Sequence, residues 1–175
     1  MKNSIKTYTN VSWLPENATI DIVLHSDIGD LDIGKNVTVF AFVIDKTQNE
    51  IILLKHAIKR RGYDIPGGHV EDSDINSITA LKREILEEVG ATVTNITPIG
   101  VQIISKDKPE DNYPDLIAHQ AFYYAELENL DETLKLENDS EGVIKMKIED
   151  WLTYLSSKEE MFLTELVESL ILRYL

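Results

Sequence analysis

The sequence predicts one α+β domain, strands first and helices interleaved. Three observations lead there. Residues 36–45, NVTVFAFVID, carry apolar side chains on both alternating faces, as a central strand covered on two sides does. Residues 75–89 repeat apolar positions at helical spacing, with Ile78, Leu81, Ile85 and Val89 on one stripe. Further alternating runs lie beyond, separated by polar turns, and no stretch repeats another. A length of 175 residues with 43% hydrophobic content suits a single domain with a real core.

Residues 1 to about 35 form an N-terminal extension, in which Ile20, Ile22 and Leu24 alternate as a short strand. SDIGDLDIGKN follows as a polar turn; its Asp27, Asp30 and Asp32 lack the spacing and the closing glutamate of a calcium loop. In the central strand Val37, Val39, Ala41 and Val43 face one way, and Phe40, Phe42 and Ile44 the other. KTQNE turns the chain, and IILLKH returns as its hairpin partner. The loop-rich segment AIKRRGYDIPGGHVEDSD leads into the helix, with Asp74 or Ser73 placed to cap its start and Gly90 to end it. ATVTNITPIGVQII and DLIAHQAFYYAEL read as strands on either side of the polar loop SKDKPEDNYP. GVIKMKI alternates Ile144, Met146 and Ile148 against lysines as a half-exposed strand, and EDWLTYL starts a short helix. Ser157 and Glu160 form a capping box for a C-terminal helix over about 158–174. Its stripe of Leu163, Leu166, Val167, Leu170, Ile171 and Tyr174 suits core packing, with a homodimer interface as the alternative.

Charge narrows the function classes. Seventeen basic residues against 31 acidic ones leave a net charge of −14. Such a chain repels nucleic acid polymers and anionic membranes at long range, so an anionic substrate needs local cations. There are no cysteines, which excludes disulfides, thiolate zinc sites and cysteine nucleophiles. MKNSIKTYTN lacks the apolar stretch of a signal peptide, and no apolar run approaches membrane-spanning length; a cytoplasmic protein is the expectation.

The segment REILEEVG, starting at Arg83, concentrates acid on the helix. Glu84, Glu87 and Glu88 fall at i, i+3 and i+4 on one face beside the apolar stripe, and Arg83 stands four residues before Glu87. Like charges at this spacing repel. Converging carboxylates suit a hard divalent cation such as Mg²⁺, which takes oxygen ligands; a solvated charged face is the alternative. Gly67 and Gly68 lie upstream, where backbone can approach an ion or a phosphate closely.

GGHVEDSDINSITALKREILEEVG, 24 residues, resembles the signature of the Nudix hydrolases. In that pattern a glycine and five residues precede a glutamate; seven more lead to Arg-Glu, an aliphatic, any residue, Glu-Glu, any residue, Gly and an aliphatic. Gly68 matches the opening, and Arg83 to Gly90 match the closing half position by position, with Ala91 in the final aliphatic place. The middle departs: Asp74 stands where the family has glutamate, and eight residues separate it from Arg83. Asp74 substitutes for that acid, Glu71 reaches in, or the position caps the helix. The resemblance implies an α/β/α sandwich around a mixed central sheet. It implies Mg²⁺, with Mn²⁺ as substitute, held by Glu84, Glu87 and Glu88 with the Gly68 carbonyl in addition. It further implies a catalytic group of Glu87 and Glu88 with Arg83 orienting Glu87, and hydrolysis of a nucleoside diphosphate linked to another moiety. Some members take the general base from a loop before the last strand; in LENDSEGV, Glu141 is the first candidate and Glu137 the second.

Lys55, His56, Lys59, Arg60 and Arg61 form the densest basic cluster. Lys59, Arg60 and Arg61 directly precede the signature and are placed to bind substrate phosphates, with a solubilising turn as the alternative. His119 in an apolar strand reads as structural. Tyr113, Phe122, Tyr123 and Tyr124 suit core packing more simply than base stacking. A non-catalytic nucleotide-sensing module is the competing function; such modules tend to lose signature glutamates, and all three are present here. Isoprenoid diphosphate isomerisation on this fold commonly needs a cysteine, which the chain lacks.

Overall fold

The computed structural model describes residues 4–9, 16–24, 37–56, 62–108, 116–134 and 140–157. Within them the chain runs β1 (Ser4–Thr9), β2 (Thr19–Leu24), β3 (Val37–Asp45), β4 (Glu50–His56), β5 (Tyr63–Asp64), β6 (Gly67–His69), α1 (Ser77–Val89), β7 (Ala91–Ser105), β8 (Ile117–Leu130), β9 (Ser140–Lys147) and α2 (Ile148–Ser157). The expected C-terminal helix, Lys59, Arg60, Arg61, Tyr113 and Glu137 lie outside the described residues.

The strands form one nine-stranded sheet in the order β1-β2-β7-β8-β3-β4-β5, with β6 also pairing β3 and β9 pairing β4. It is mixed: β3 and β8 are parallel, and the other pairings are antiparallel. The β3 strand is central, as its two-faced apolar pattern requires. Val37, Val39, Ala41 and Val43 join Ala80, Leu81, Ile85 and Val89 of α1 in one buried cluster. Phe42 and Ile44 join Trp151 and Leu155 of α2 in a second, on the opposite face. One helix on each face gives the α/β/α sandwich.

The β3 strand changes neighbours along its length. Val43 to Asp45 pair with β4, whereas Thr38 to Phe40 pair with β6. The sheet therefore forks, and the glycine strand β6 lies beside the helix that carries the acids. The N-terminal residues continue this sheet through β2, which pairs with β7, and β1, which pairs with β2.

Helix α1 begins two residues later than its apolar spacing suggests. Its cap is Asn76, not Asp74 or Ser73. Asn76 is extended; its side chain accepts from Thr79 N–H at 2.9 Å, and Thr79 Oγ1 accepts from Asn76 N–H at 2.9 Å. This reciprocal pair satisfies two free donors at the helix start. Ile75 is left 86% exposed. Gly90 ends the helix in the left-handed conformation at φ 66°, donating its N–H to the Leu86 carbonyl, a geometry that glycine adopts without the Cβ penalty.

Candidate catalytic site

The acidic face of α1 meets the glycine strand at close range. A Cβ at position 67 would overlap the Val39 carbonyl and Phe40, and a Cβ at position 68 would overlap the Glu84 carboxylate. Two adjacent residues without side chains thus let β6 lie tightly on β3 while the helix presses an acid against its other side. The Gly67 N–H donates to Glu88 Oε2 at 2.8 Å. A helix carboxylate and the glycine backbone are joined directly.

Arg83 ties the remaining acids together. Its Nη1 donates to Glu84 Oε1 at 2.8 Å and to Glu87 Oε2 at 3.1 Å. Its Nη2 donates to Asp74 Oδ2 at 2.9 Å and to the His69 carbonyl at 3.0 Å. Every acceptor is an anion or a carbonyl, and the planar guanidinium presents its donors in a fixed fork that suits such a ring. The bond to Asp74, the largest influence, pushes the Arg83 pKa further above its already high value. In return the Arg83 guanidinium, with the Glu71 N–H, holds the Asp74 carboxyl below its usual range. Glu84 moves the other way: burial pushes its carboxyl up, and Arg83 partly opposes the shift.

These contacts resolve the irregular middle of the signature. Asp74 is the partner of Arg83, and its carboxylate also accepts from Glu71 N–H at 2.9 Å. Its side chain is only 6% exposed, whereas that of Glu71 is 61% exposed and 3.9 Å from Arg83. The bonds span nine positions across the helix start, so helical periodicity could not reveal them. The Gly67 N–H and the His69 carbonyl were also unreadable in advance, because backbone groups carry no residue signature.

Arg83 joins Glu84 and Glu87, and Glu88 bonds the glycine strand beside them; Glu141 has Lys55 as its partner, not a residue of this group. It enters β9 beside Gly142 and pairs with Lys55 Nζ at 3.0 Å. Among the described residues no group of three acid or histidine side chains is already gathered around one metal position. Glu84 and Glu87 turn toward Arg83, and Glu88 toward the Gly67 N–H. The donor set is nonetheless all oxygen, of the hard type that Mg²⁺ and Mn²⁺ accept. The Glu84 carboxylate lies directly against Gly68, in the space a side chain there would take.

A family model for the NUDIX domain matches residues 34–166. The chain belongs to the NUDIX family. Solved NUDIX structures share the fold. A NUDIX hydrolase from Nitrosomonas europaea superposes with a TM-score of 0.58 at 18% identity, covering 76% of this chain and 86% of that one. The Bacillus subtilis pyrophosphohydrolase BsRppH, solved in a mutant form, gives 0.54 at 24% identity, covering 73% and 72%. The NUDIX domain of Shewanella oneidensis NrtR, solved with ADP ribose, gives 0.55 at 13% identity, covering 78% and 88%. No curated protein sequence matches. Among the described residues of this NUDIX protein, no helix is long and apolar enough to cross a membrane.

Proposed function

We propose that this NUDIX protein is a divalent-metal-dependent hydrolase of the diphosphate bond in a nucleoside diphosphate linked to another group. The observation that carries the reading is the junction of α1 with the glycine strand, where Glu88 bonds the Gly67 N–H and Glu84 fills the space that a Gly68 side chain would take. In this reading Glu84, Glu87, Glu88 and the Gly68 carbonyl hold Mg²⁺, or Mn²⁺ in its place. The cation offsets phosphate charge, polarises phosphorus and lowers the pKa of a water. The protein's own groups position. Arg83 aligns Glu84 and Glu87 from behind, and Asp74 fixes Arg83. Glu141 is assigned as the base that takes the proton of the attacking water, with Lys55 holding its carboxylate. Lys59, Arg60 and Arg61, directly before the glycine strand in sequence, are assigned to the terminal phosphate.

Glu87→Gln and Glu88→Gln test the assignment. Both variants are expected to fold and to lose most turnover, because each keeps the side chain's size and removes the charge that holds a cation. Turnover is measured with Mg²⁺ and Mn²⁺ on nucleotide sugars, dinucleoside polyphosphates, ADP ribose and nucleoside triphosphates. ADP ribose belongs in the panel because the NrtR domain was solved with it. Near-wild-type rates in both variants would overturn the metal-site assignment.

A further inference from the structure

On the sheet face opposite α1, one row of register partners runs from an apolar residue of β2 through three polar side chains. Ile22, Gln102, Gln120 and Thr38 are successive register partners across β2, β7, β8 and β3, and Thr38 is partnered in turn by His69 of β6. Register partners point to the same face. Next to the row lie Ile104 on one side and the stacked pair Phe40 and Phe122 on the other, with ring centroids 5.3 Å apart. Gly100, the register partner of Phe122, brings no side chain to this surface.

Gln102 is the anomaly. It is the one polar side chain among the buried described residues, at 0% exposure. Neither its Nε2 nor its Oε1 has a hydrogen-bond partner among the described residues. A buried amide without partners destabilises the fold, and so calls for a compensating role. Thr38, Phe40 and Gln120 are half-buried, so the row is open at its β3–β8 side and closes at Gln102. Its open side adjoins the strand that carries Gly67, Gly68 and His69. Three strand spacings, roughly 14 Å, separate that strand from β7, a reach suited to an extended nucleoside diphosphate.

Resting on the hydrolase reading above, we propose that Gln102 reads the base of the substrate. A glutamine amide presents one acceptor and one donor side by side, which matches an adjacent donor and acceptor on a nucleobase edge. The base enters over Thr38 and Gln120, beside the Phe40–Phe122 stack, with its phosphates toward the glycine strand. The bonds Gln102 lacks among the described residues are then made to the ligand, and a base offering the wrong pattern leaves the amide unsatisfied.

The test is binding without turnover. Nucleoside monophosphates of adenine, guanine, cytosine and uracil are titrated by calorimetry, in EDTA, into the full chain and into Gln102→Met, a close match in length without the amide. Wild type is expected to prefer one base by tenfold or more, and the variant to lose that preference while melting at or above the wild-type temperature. Equal affinity of wild type for all four, binding of none, or an unchanged preference in the variant overturns the proposal; the last identifies a structural amide bonded to internal water. Gln102→Leu repeats the test if the methionine variant misfolds, and misfolding of both also overturns it, because an unpartnered amide cannot be required for folding. Hydrolysis is read separately with Mg²⁺. An inactive protein that keeps a base preference contradicts only the hydrolase reading, whereas an active one without it contradicts only the role of Gln102.

Discussion

Asp74 and Arg83 set the charge balance beneath the glutamates. Asp74 accepts from Arg83 Nη2 at 2.9 Å and is nearly covered by its surroundings. Asp74→Asn keeps an acceptor but loses the charge, and it frees Arg83 to bind Glu84 and Glu87 more tightly. The variant is expected to lose about 1 kcal/mol of stability near neutral pH, the scale of a charge-assisted bond in a partly solvated loop. Its turnover is expected to fall, less deeply than in Glu88→Gln. The pH dependence has a definite sign. The folded pKa of Asp74 lies below its ordinary value of 3.8, so its contribution is full above that value and is lost as pH falls through the lower, folded one. Denaturant titrations of both proteins across the acid range check this: the stability gap should close in acid. Equal stability at neutral pH would mean that the ion pair contributes nothing.

At the scale of elements, the two glycines of β6 do different work although they are neighbours. A Cβ at Gly67 meets the backbone carbonyl of Val39, so alanine there must force β6 away from β3. The nearest atoms a Cβ at Gly68 would meet all belong to the end of the Glu84 side chain, which can swing aside. Gly67→Ala should therefore melt at a clearly lower temperature than Gly68→Ala. Gly68→Ala should keep most of its stability and lose turnover at least tenfold, since the displaced carboxylate is a proposed metal ligand. Thermal melts and rates measured together decide the matter; a Gly68→Ala protein with full activity would remove Glu84 from the site. The helix that carries the acids is itself fixed at both ends, by the Asn76–Thr79 box and the left-handed Gly90. It is also bonded across its start by Tyr123 Oη to Ser77 Oγ at 2.8 Å. Such anchoring holds repelling carboxylates in one geometry.

Across the whole molecule, a net charge of −14 disfavours anionic ligands everywhere except where a cation is held. A cation that binds only the folded site stabilises it by mass action, about 2.7 kcal/mol at a hundredfold excess over Kd. Mg²⁺ or Mn²⁺ is therefore expected to raise the melting temperature, with the rise following a saturable curve. The control is Glu84→Ala combined with Glu88→Ala. If that protein gains as much as wild type, the effect is general screening of an acidic surface and the site is misplaced.

The periodic elements were legible in the sequence because their signal is local. The two-faced apolar run of β3 and the stripe of α1 record which sides are covered, and burial matches them. The acids of α1 were legible for the same reason: i, i+3 and i+4 on a helix share a face by geometry alone. Strands β1, β5 and β6 were not. The SIKTYT run of β1 is largely polar, β5 is two residues long and β6 is mostly glycine, so pairing across the sheet forms them, not propensity. Asp74 shows the same division at the site. Its identity suits a helix cap, but Asn76 had the reciprocal partner, and the loop carried Asp74 onto Arg83 instead. Gln102 in turn looks like an ordinary strand residue until the sheet buries it with no hydrogen-bond partner among the described residues. Side-chain chemistry and a short period dictate which residues carry charge and which faces must be covered, so both can be read along the chain. Which polar groups meet is a property of the folded molecule, because loop paths and strand pairing bring together atoms whose separation along the chain has no period.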